Sequence, residues 1–375
     1  MSEAWIASRM RQIEASGIRK AFELSKKMTD PINLSIGLPD FDVPDTIKDA
    51  AVHAIQQGQN AYTLTMGLPE LKAHIQQQID AEYGHPDRPV IVTAGTSGGL
   101  LLALCCTVNP GDEVILFDPY FVMYNNLVAL AGGTPVLVDT YPDFKIHLDR
   151  VKAAVTPRTK CILLNSPNNP TGVVASAEEV EALAQFCQER NILLISDEVY
   201  RTFCYDGPFA SPARYNDQVL VVDGFSKSYG MTGWRLGFAH GPTHLIQEMA
   251  KLQQFSFVCA PSPLQKAVVG AMDLDLKPQE GAYRTKRNKV VAALSDLYDL
   301  GNPGGAFYAF PKVPEGYASA SEFAAAAIPH NLLIIPGNVF SKRDTHFRIS
   351  YAVSDRTLER GLDVLRKMAA GPEKG

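Results

Sequence analysis

Several features that would assign this chain to a special class are missing from its 375 residues. Its six cysteines form no C-x-x-C pair and its eight histidines form no H-E-x-x-H motif, so we expect neither a disulfide framework nor a metal site. The chain has no excess of basic residues, because it contains 40 acidic residues and 35 lysines and arginines. The net charge of -5 argues against binding to the phosphate backbone of nucleic acids.

A long hydrophobic run is also missing. The longest apolar stretch, around Leu100 to Cys106, is far shorter than the roughly 20 residues that a membrane span needs. The N-terminal segment mixes charges with isolated apolar residues, which is not the pattern of a secretory signal. We therefore expect a cytosolic protein with no membrane partner. Hydrophobic residues at 46% and charged residues at 20% are typical of a globular enzyme, and the length suggests two or three folding units.

What the sequence does contain is an alternation of apolar β-rich runs with segments of helical spacing. The runs read PVIVTAG, DEVILF, TPVLVDT, KCILLNS, NILLISD and QVLVVDG. Between KCILLNS and NILLISD, Ser176 and Glu179 have the spacing of a capping box at the start of a helix. Fully apolar strands that alternate with helices predict an α/β fold with a parallel sheet covered on both faces.

The pattern changes after about residue 275, where a long charged helix, short strands and further helices predict an α+β region. We expect three parts: an N-terminal segment, 1–40, that packs on the small domain, a large α/β domain, 41–275, and a small α+β domain, 276–375. The position of the boundary between the two domains is uncertain by about ten residues or more.

The residues that follow the apolar runs are unusually polar. In a doubly wound sheet, ligands bind outside the carboxyl ends of the strands. Thr96 and Ser97, in VTAGTSGG, could point backbone N–H groups at an anion, although an ordinary helix start explains them equally well. Asp197 and Tyr200, in SDEVY, stand at the end of a strand that is expected to be buried. A carboxylate at the end of a buried strand needs a cationic partner.

A single lysine stands among small residues in DGFSKSYGMTGWRLGF, which follows the strand QVLVV. Lys227 could be a solvated surface charge. It could instead be the reactive amine of a cleft, with Arg235, eight residues later, holding an anion.

Five motifs together resemble those of the class I/II aminotransferases, which are fold type I enzymes that use pyridoxal 5'-phosphate (PLP). In chain order they are NSPNNPTG, SDEVY, GFSKSYGMTGWRLGF, GGAFYAF and FRISYA. The earlier stretches INLSIGLPDFDVP and AYTLTMGLPELK extend the similarity to nearly the whole chain. It looks closest to the branch with bacterial aspartate and archaeal aromatic aminotransferases. The resemblance implies a mostly parallel central sheet with helices on both faces, plus a smaller α+β domain.

The resemblance also implies roles around the cofactor ring. Lys227 matches the lysine that forms the Schiff base and then moves a proton between the substrate and the cofactor. Asp197 would pair with the pyridine nitrogen, which supplies the cation that its position requires. Tyr200 and Asn169 match the donors to the phenolic oxygen of the ring. Phe121 falls where an aromatic stacks on the ring, although a packed core phenylalanine is the alternative.

By the same resemblance, the cofactor phosphate would be held by the loop after Gly95, with Thr96 and Ser97, and by the side chains of Ser226 and Arg235. The sequence departs from the family pattern at Gly224, where many members carry serine. One phosphate hydroxyl is therefore expected to be missing. Tyr62 matches a tyrosine that reaches the phosphate from the neighbouring subunit, which implies a homodimer with shared active sites.

The substrate carboxylate would be bound by Arg348 and closed over by the backbone at Gly37. Alternation along HFRISYA puts Arg348 on the face opposite Phe347, Ile349 and Tyr351. On its own, a salt-bridged surface arginine would be the simpler interpretation.

The function implied is transfer of the amino group of an L-α-amino acid to a 2-oxo acid such as 2-oxoglutarate. Three alternatives stay open: a PLP-dependent C–S β-lyase on the same fold, a non-catalytic PLP-fold regulator, and a nicotinamide dehydrogenase, which lacks its glycine fingerprint here. The preferred side chain is also open, whether aromatic, aspartate or similar. An apolar wall for aromatic substrates could come from Ile13, Ile18, Phe22 and Tyr124.

Overall fold

The computed structural model describes residues 5–13, 17–84 and 88–371, apart from a few side chains in the first helix. The side chain of Phe22, a predicted wall residue, lies outside the described part. The strands are β1 (Ile32–Asn33), β2 (Val90–Thr93), β3 (Glu113–Asp118), β4 (Thr134–Asp139), β5 (Thr159–Asn165), β6 (Leu193–Asp197), β7 (Leu220–Gly224), β8 (Gly237–His240), β9 (Tyr308–Ala309), β10 (Leu332–Leu333), β11 (Ile335–Pro336) and β12 (Phe347–Ser350).

The described helices are α1 (Gly17–Ser25), α2 (Asp45–Gln56), α3 (Pro69–Tyr83), α4 (Gly95–Thr107), α5 (Val122–Leu130), α6 (Leu148–Ala154), α7 (Ala177–Arg190), α8 (Phe225–Ser228), α9 (Thr243–Ser256), α10 (Ser262–Val269), α11 (Lys277–Leu294), α12 (Ala320–Ala327) and α13 (Asp355–Met368). Helix α7 begins as predicted, with the side chain of Ser176 accepting from the backbone N–H of Glu179 and the Glu179 side chain accepting from that of Ser176. None of the described helices is long and apolar enough to cross a membrane.

A seven-stranded sheet forms the centre of the molecule, in the order β2-β8-β7-β6-β5-β3-β4. Strand β8 runs antiparallel to its two neighbours, and the other pairs of adjacent strands are parallel. The six apolar runs of the sequence are six of these strands, so the predicted α/β fold with a mostly parallel sheet is confirmed.

Alternate residues of each central strand pack against different helix layers, which explains why these strands are apolar throughout. On β3, Ile115 belongs to the core that contains residues of α2, α3 and α7, whereas Val114 and Leu116 belong to the core with α4, α5 and α9. The sheet is therefore covered on both faces.

A third core lies between the short strands and the last helices. Strand β12 pairs with β11 and β9, and β1 pairs in parallel with β10, which joins the N-terminal part of the chain to its C-terminal part. Phe347, Ile349 and Tyr351 point into this core, as their alternation predicts. The proposed division into parts 1–40, 41–275 and 276–375 stays a prediction.

Candidate active site

A cavity of about 740 Å³ opens at the carboxyl ends of the parallel strands. Its lining combines residues that follow central strands with residues of the N-terminal segment, β9 and β12. This is the edge of the sheet where doubly wound proteins bind ligands. Polar and charged side chains that are distant in sequence converge here, which indicates a catalytic or binding site.

The half-buried lysine Lys227 lies in the first turn after β7, and its amine donates to the backbone carbonyl of Gly37 at 3.0 Å. Burial, together with the nearby guanidinium groups of Arg348 and Arg235, lowers the pKa of Lys227 to about 8, although Asp197 acts in the opposite direction. An appreciable fraction of this amine is therefore neutral near physiological pH, as a nucleophile or proton acceptor requires.

Asp197 ends β6 and is only 4% exposed. Its carboxylate accepts from the hydroxyl of Tyr124 at 2.7 Å and from the backbone N–H of Val199 at 3.3 Å. Burial raises the pKa of Asp197 to about 6, while the Tyr124 hydroxyl and the amide oppose the shift. A buried carboxylate of this kind gains much from a cation placed beside it.

Arg348 is 1% exposed and lies between two aromatic rings, with its guanidinium carbon 4.7 Å from the ring centre of Tyr308 and 4.6 Å from that of Phe340. Its Nη1 donates to Asn169 Oδ1 at 2.9 Å and its Nη2 to the carbonyl of Ser35 at 2.6 Å. Its buried Nε has no hydrogen-bond partner within the described ranges. The simpler interpretation of a surface arginine is therefore wrong, because an incompletely satisfied buried guanidinium faces the cavity.

A row of hydrogen bonds connects Arg348 to two phenols. The amide of Asn169 that accepts from Arg348 also donates weakly to the hydroxyl of Tyr200, at 3.5 Å. The hydroxyls of Tyr200 and Tyr308 are 2.8 Å apart. Asn165, at the end of β5, holds the row in place because its side chain binds the backbone of both Asn169 and Asp197.

An anion cradle lies where α4 begins. Gly95 has φ +72°, and a Cβ there would come within 2.5 Å of Arg235 Nη2, so the guanidinium packs directly on the glycine backbone. Arg235 also donates to the hydroxyl of Ser97 at 3.4 Å. The hydroxyl of Ser226 is buried and has no hydrogen-bond partner in the described part of the chain. Free helix N–H groups, an arginine and two hydroxyls are the donors that phosphate prefers.

Comparison with known proteins identifies the family to which this chain belongs. The profile described as "Aminotransferase class I and II" matches residues 29–365. The chain belongs to the class I and II aminotransferases. It is 38% identical to an aspartate/prephenate aminotransferase of Cereibacter sphaeroides, over 94% of each chain, and 33% identical to aromatic-amino-acid aminotransferase 2 of Thermococcus litoralis, over 97% of this chain and 98% of the relative.

Solved structures agree with this assignment. The aspartate aminotransferase of Thermus thermophilus with maleate superposes with a TM-score of 0.92 at 33% identity, covering 96% of this chain and 99% of that one. Members of the family use PLP as cofactor. The chain is thus a PLP-dependent aminotransferase, as the five motifs predict.

The residues of the aminotransferase fit this cofactor. The cradle at α4 has donors for a phosphate, including the buried hydroxyl of Ser226 that otherwise lacks a partner. The buried carboxylate of Asp197 suits a protonated ring nitrogen, and the amine of Lys227 suits an aldehyde. At Gly224, where the resemblance predicts that one phosphate hydroxyl is missing, a Cβ would lie 3.0 Å from the Gly237 backbone, so the two strands approach closely there.

The structure brings most of the predicted site residues into one cavity, and two of them do not line it. The predicted residues that line it are Gly37, Thr96, Ser97, Phe121, Asn169, Asp197, Tyr200, Ser226, Lys227, Arg235 and Arg348, together with Ile13, Ile18 and Tyr124. Gly95 lies directly behind it, against Arg235. Tyr62 does not line it and is 81% exposed.

Two side chains of the site have contacts that the motifs did not indicate. Tyr124 was expected in an apolar wall, but its hydroxyl is bound to Asp197. Tyr308 belongs to GGAFYAF and had no assigned role, yet it contacts both Tyr200 and Arg348. Alternation could have found Tyr308, because it pairs with Ser350 across the β9–β12 ladder, on the same face as Arg348.

Proposed function

We propose that this aminotransferase moves the amino group of an L-α-amino acid, from the range that covers aspartate and aromatic donors, to a 2-oxo acid such as 2-oxoglutarate, with Lys227 as the catalytic amine. The relatives' names cover aspartate, aromatic and prephenate aminotransferases, which supports this range. The observation that carries the proposal is the position of Lys227. Its amine shares one cavity with a carboxylate suited to the cofactor and an arginine suited to the substrate.

When bound, PLP supplies an aldehyde that reacts with amines and a ring that withdraws electrons from the bonds at the substrate Cα. Lys227 would hold the cofactor covalently and later take the proton from Cα. Its pKa of about 8 suits this second task, because an amine with an ordinary pKa would be almost wholly protonated at neutral pH.

The other side chains would orient the two partners of the reaction. Asp197 would keep the ring nitrogen protonated, Tyr200 and Asn169 would bind the phenolic oxygen, and Phe121 would stack on the ring. The guanidinium of Arg348 would bind the substrate carboxylate with its planar fork, using the Nε that lacks a partner within the described residues. Binding at this arginine would place the Cα–H bond within reach of Lys227.

The phosphate would be held by Thr96, Ser97, Ser226 and Arg235, at the N-terminus of α4. We further propose a homodimer in which Tyr62 of each subunit reaches the phosphate of the other. The 81% exposure of Tyr62 supports this, since a tyrosine that acts across subunits is uncovered in a single chain. A cytosolic location stays a prediction.

Borohydride reduction of the PLP-loaded protein tests the assignment of Lys227. The pyridoxyl group should be fixed on the peptide that contains Lys227, and label on another lysine would refute the assignment. Incubation with an amino acid and 2-oxoglutarate should yield glutamate. Pyruvate and ammonia without glutamate would instead indicate β-elimination.

A further inference from the structure

One segment of the cavity wall has little backbone support of its own. Residues 35–41, here named the Gly37 loop, belong to no helix or strand. Among the residues that the structure describes, none of the backbone groups of this loop bonds to another backbone group. The chain is fixed just before the loop, where Leu34 bonds to the backbone of Leu333 and Ser350. The position of the loop itself therefore depends on contacts with side chains.

Two of these side chains belong to the reactive groups of the site. Arg348 donates to the carbonyl of Ser35 at 2.6 Å, at the start of the loop, and the amine of Lys227 donates to the carbonyl of Gly37 at 3.0 Å. In the proposed function, Lys227 would lose this bond whenever it holds the cofactor or takes a proton. The far end of the loop therefore needs an anchor that takes no part in the chemistry.

Helix α11 supplies such an anchor. The carboxylate of Asp40 forms an ion pair with the amine of Lys286, and the backbone N–H of Asp40 donates to the hydroxyl of Tyr283 at 3.1 Å. The same amine donates to the carbonyl of Val353 at 2.6 Å, three residues beyond the end of β12. Lys286 thus joins the Gly37 loop to the chain that follows the strand of Arg348.

This ion pair is shielded from water but does not touch the cavity. The side chains of Lys286 and Asp40 are 11% and 23% exposed, so removal of one charge leaves the other poorly solvated. Neither residue is among the described residues that line the cavity, whereas Ile36, Gly37 and Leu38 of the loop are. Any effect of the ion pair on the reaction must therefore pass through the loop.

We infer that Asp40 and Lys286 are positioning residues, whose ion pair holds the Gly37 loop in the conformation that receives the substrate α-carboxylate. The inference rests on the proposed function, because it takes Arg348 and the backbone at Gly37 as the carboxylate site. Without the ion pair, the loop would adopt this conformation only part of the time, and the apparent affinity for the carboxylate would fall by that fraction. A bound substrate restores the conformation, so KM should rise while kcat stays close to the parental value.

Lys286→Met tests the anchor, because it removes the cation and keeps an unbranched side chain. Aspartate and phenylalanine serve as donors and 2-oxoglutarate as acceptor. With each donor that the parent protein turns over, the KM values for donor and acceptor should both rise at least about fivefold, since both substrates carry an α-carboxylate. The value of kcat should stay within about twofold of the parental value. Unchanged KM values, or a fall in kcat alone, would overturn the inference.

Arg287→Met is the matched control, because Arg287 is the next residue of α11 and its side chain is 10% exposed. It forms an ion pair with Asp206 and donates to the carbonyl of Pro303, away from the Gly37 loop. This variant should lower Tm and leave both KM values at the parental level. An equal rise of KM in Arg287→Met would make the effect of Lys286→Met a general loss of packing and would contradict the inference.

A double variant separates positioning from stability. Asp40→Ala leaves the charge of Lys286 without its partner, whereas Asp40→Ala combined with Lys286→Met leaves neither charge unpaired. Tm should therefore be higher in the double variant than in Asp40→Ala, while KM should stay raised because the loop still lacks its anchor. A KM that returns to the parental value together with Tm would make the ion pair a stability element only. Asp40→Ala also provides the KM test if Lys286→Met does not fold.

Unreactive carboxylates make the test independent of turnover. Maleate and 3-phenylpropionate are titrated into the PLP-loaded protein by calorimetry. The affinity for each carboxylate that the parent binds should be at least about fivefold weaker in Lys286→Met and parental in Arg287→Met. If the parent turns over no amino acid, the proposed function fails, but this ratio still decides the inference. Equal affinity in Lys286→Met and the parent, or a parent that binds neither carboxylate, would overturn it.

Discussion

The two halves of the active-site cavity are built in different ways. The half proposed to hold the cofactor consists of residues at or just beyond the ends of neighbouring strands of one sheet, such as Asp197 at the end of β6 and Ser226 after β7. The half proposed to hold the substrate is assembled from the N-terminal segment and from β9 and β12, so that Ser35 meets Arg348 across 313 residues of sequence.

This difference has consequences for how each half works. The cofactor groups are fixed by the hydrogen-bonded ladder of the sheet and by helix N-termini, which hold their positions without a ligand. The substrate groups lie on the short β9–β12 ladder and on the N-terminal segment, outside the central sheet, and they include half-buried apolar residues. We therefore expect changes in the first half to affect cofactor affinity and changes in the second half to affect substrates while the cofactor stays bound.

The largest effect is expected at Lys227, which contacts both halves through the carbonyl of Gly37. Lys227→Ala should lower the turnover of amino acids by about 10²- to 10⁴-fold, because both the covalent anchor and the proton acceptor are lost. PLP should still bind non-covalently through the cradle, as measured by equilibrium dialysis. Lys251→Ala is the control, since Lys251 forms an exposed ion pair with Glu248, and it should keep parental turnover. Retention of turnover in Lys227→Ala would contradict the assigned role.

The next largest effect is expected at Arg348. Arg348→Lys keeps the charge but loses the planar fork, and hydrogen bonds to charged groups contribute about 1.5 to 3 kcal/mol each. The kcat/KM for amino acids should fall about tenfold for each 1.4 kcal/mol that is lost. Cofactor affinity and absorbance should be unchanged, as should the reaction with simple amines that have no carboxylate. Loss of the cofactor, or parental rates with amino acids, would make Arg348 a structural residue instead.

The same division explains which features could be predicted from the sequence. Six of the seven strands of the central sheet were predictable because their apolar runs and helix punctuation are local signals. The polar residues after these strands could be collected by one rule about strand ends. Burial of Arg348 could not be predicted from local pattern alone. Its environment depends on the rings of Tyr308 and Phe340 and on the carbonyl of Ser35, which meet it only in the folded chain.

The hydroxyl contact of Tyr124 could not be predicted for a related reason. Its position in DPYFVMY, on α5, predicts an apolar contact, and its ring is indeed buried. The direction of its hydroxyl depends on how α5 packs on the central sheet, which periodicity does not determine. A buried phenol must find a partner, and Asp197 is the acceptor that it reaches.

A moderate effect is expected from Tyr124→Phe, which removes one hydrogen bond from Asp197 and leaves the ring. Cofactor affinity should fall about tenfold, the equivalent of 1.4 kcal/mol, because Asp197 pairs with the ring nitrogen only as an anion. Burial already raises the pKa of Asp197 to about 6, and the Tyr124 hydroxyl opposes that shift. The parent protein should therefore bind PLP tightly above this pKa and lose affinity for PLP as the pH falls through it. In Tyr124→Phe the loss of affinity should begin at a higher pH.

Fluorescence titration with PLP between pH 5 and 8 measures this change, with about one value per half unit sufficient to locate the midpoint. Tyr141→Phe is the matched control, because it removes another buried tyrosine hydroxyl, the one that donates to Ser341, away from the cavity. An unchanged midpoint in Tyr124→Phe would show that its hydroxyl does not act on Asp197.

The smallest effect is expected at Tyr308, which stands on the border between the two halves. Tyr308→Phe removes the hydroxyl that lies 2.8 Å from Tyr200 but keeps the ring beside Arg348. A neutral hydrogen bond contributes about 0.5 to 1.5 kcal/mol, so kcat should fall about two- to tenfold as Tyr200 loses its orientation. The KM for amino acids should be unchanged, because the guanidinium of Arg348 keeps its ring contact. Tyr308→Leu removes the ring as well and should raise the KM for amino acids, since the cation–π contact with Arg348 is then lost.

Steady-state kinetics of Tyr308→Phe and Tyr308→Leu thus assign the hydroxyl to the cofactor half and the ring to the substrate half. A raised KM in Tyr308→Phe would place the hydroxyl in the substrate half too, and the border between the halves would then lie at Tyr200.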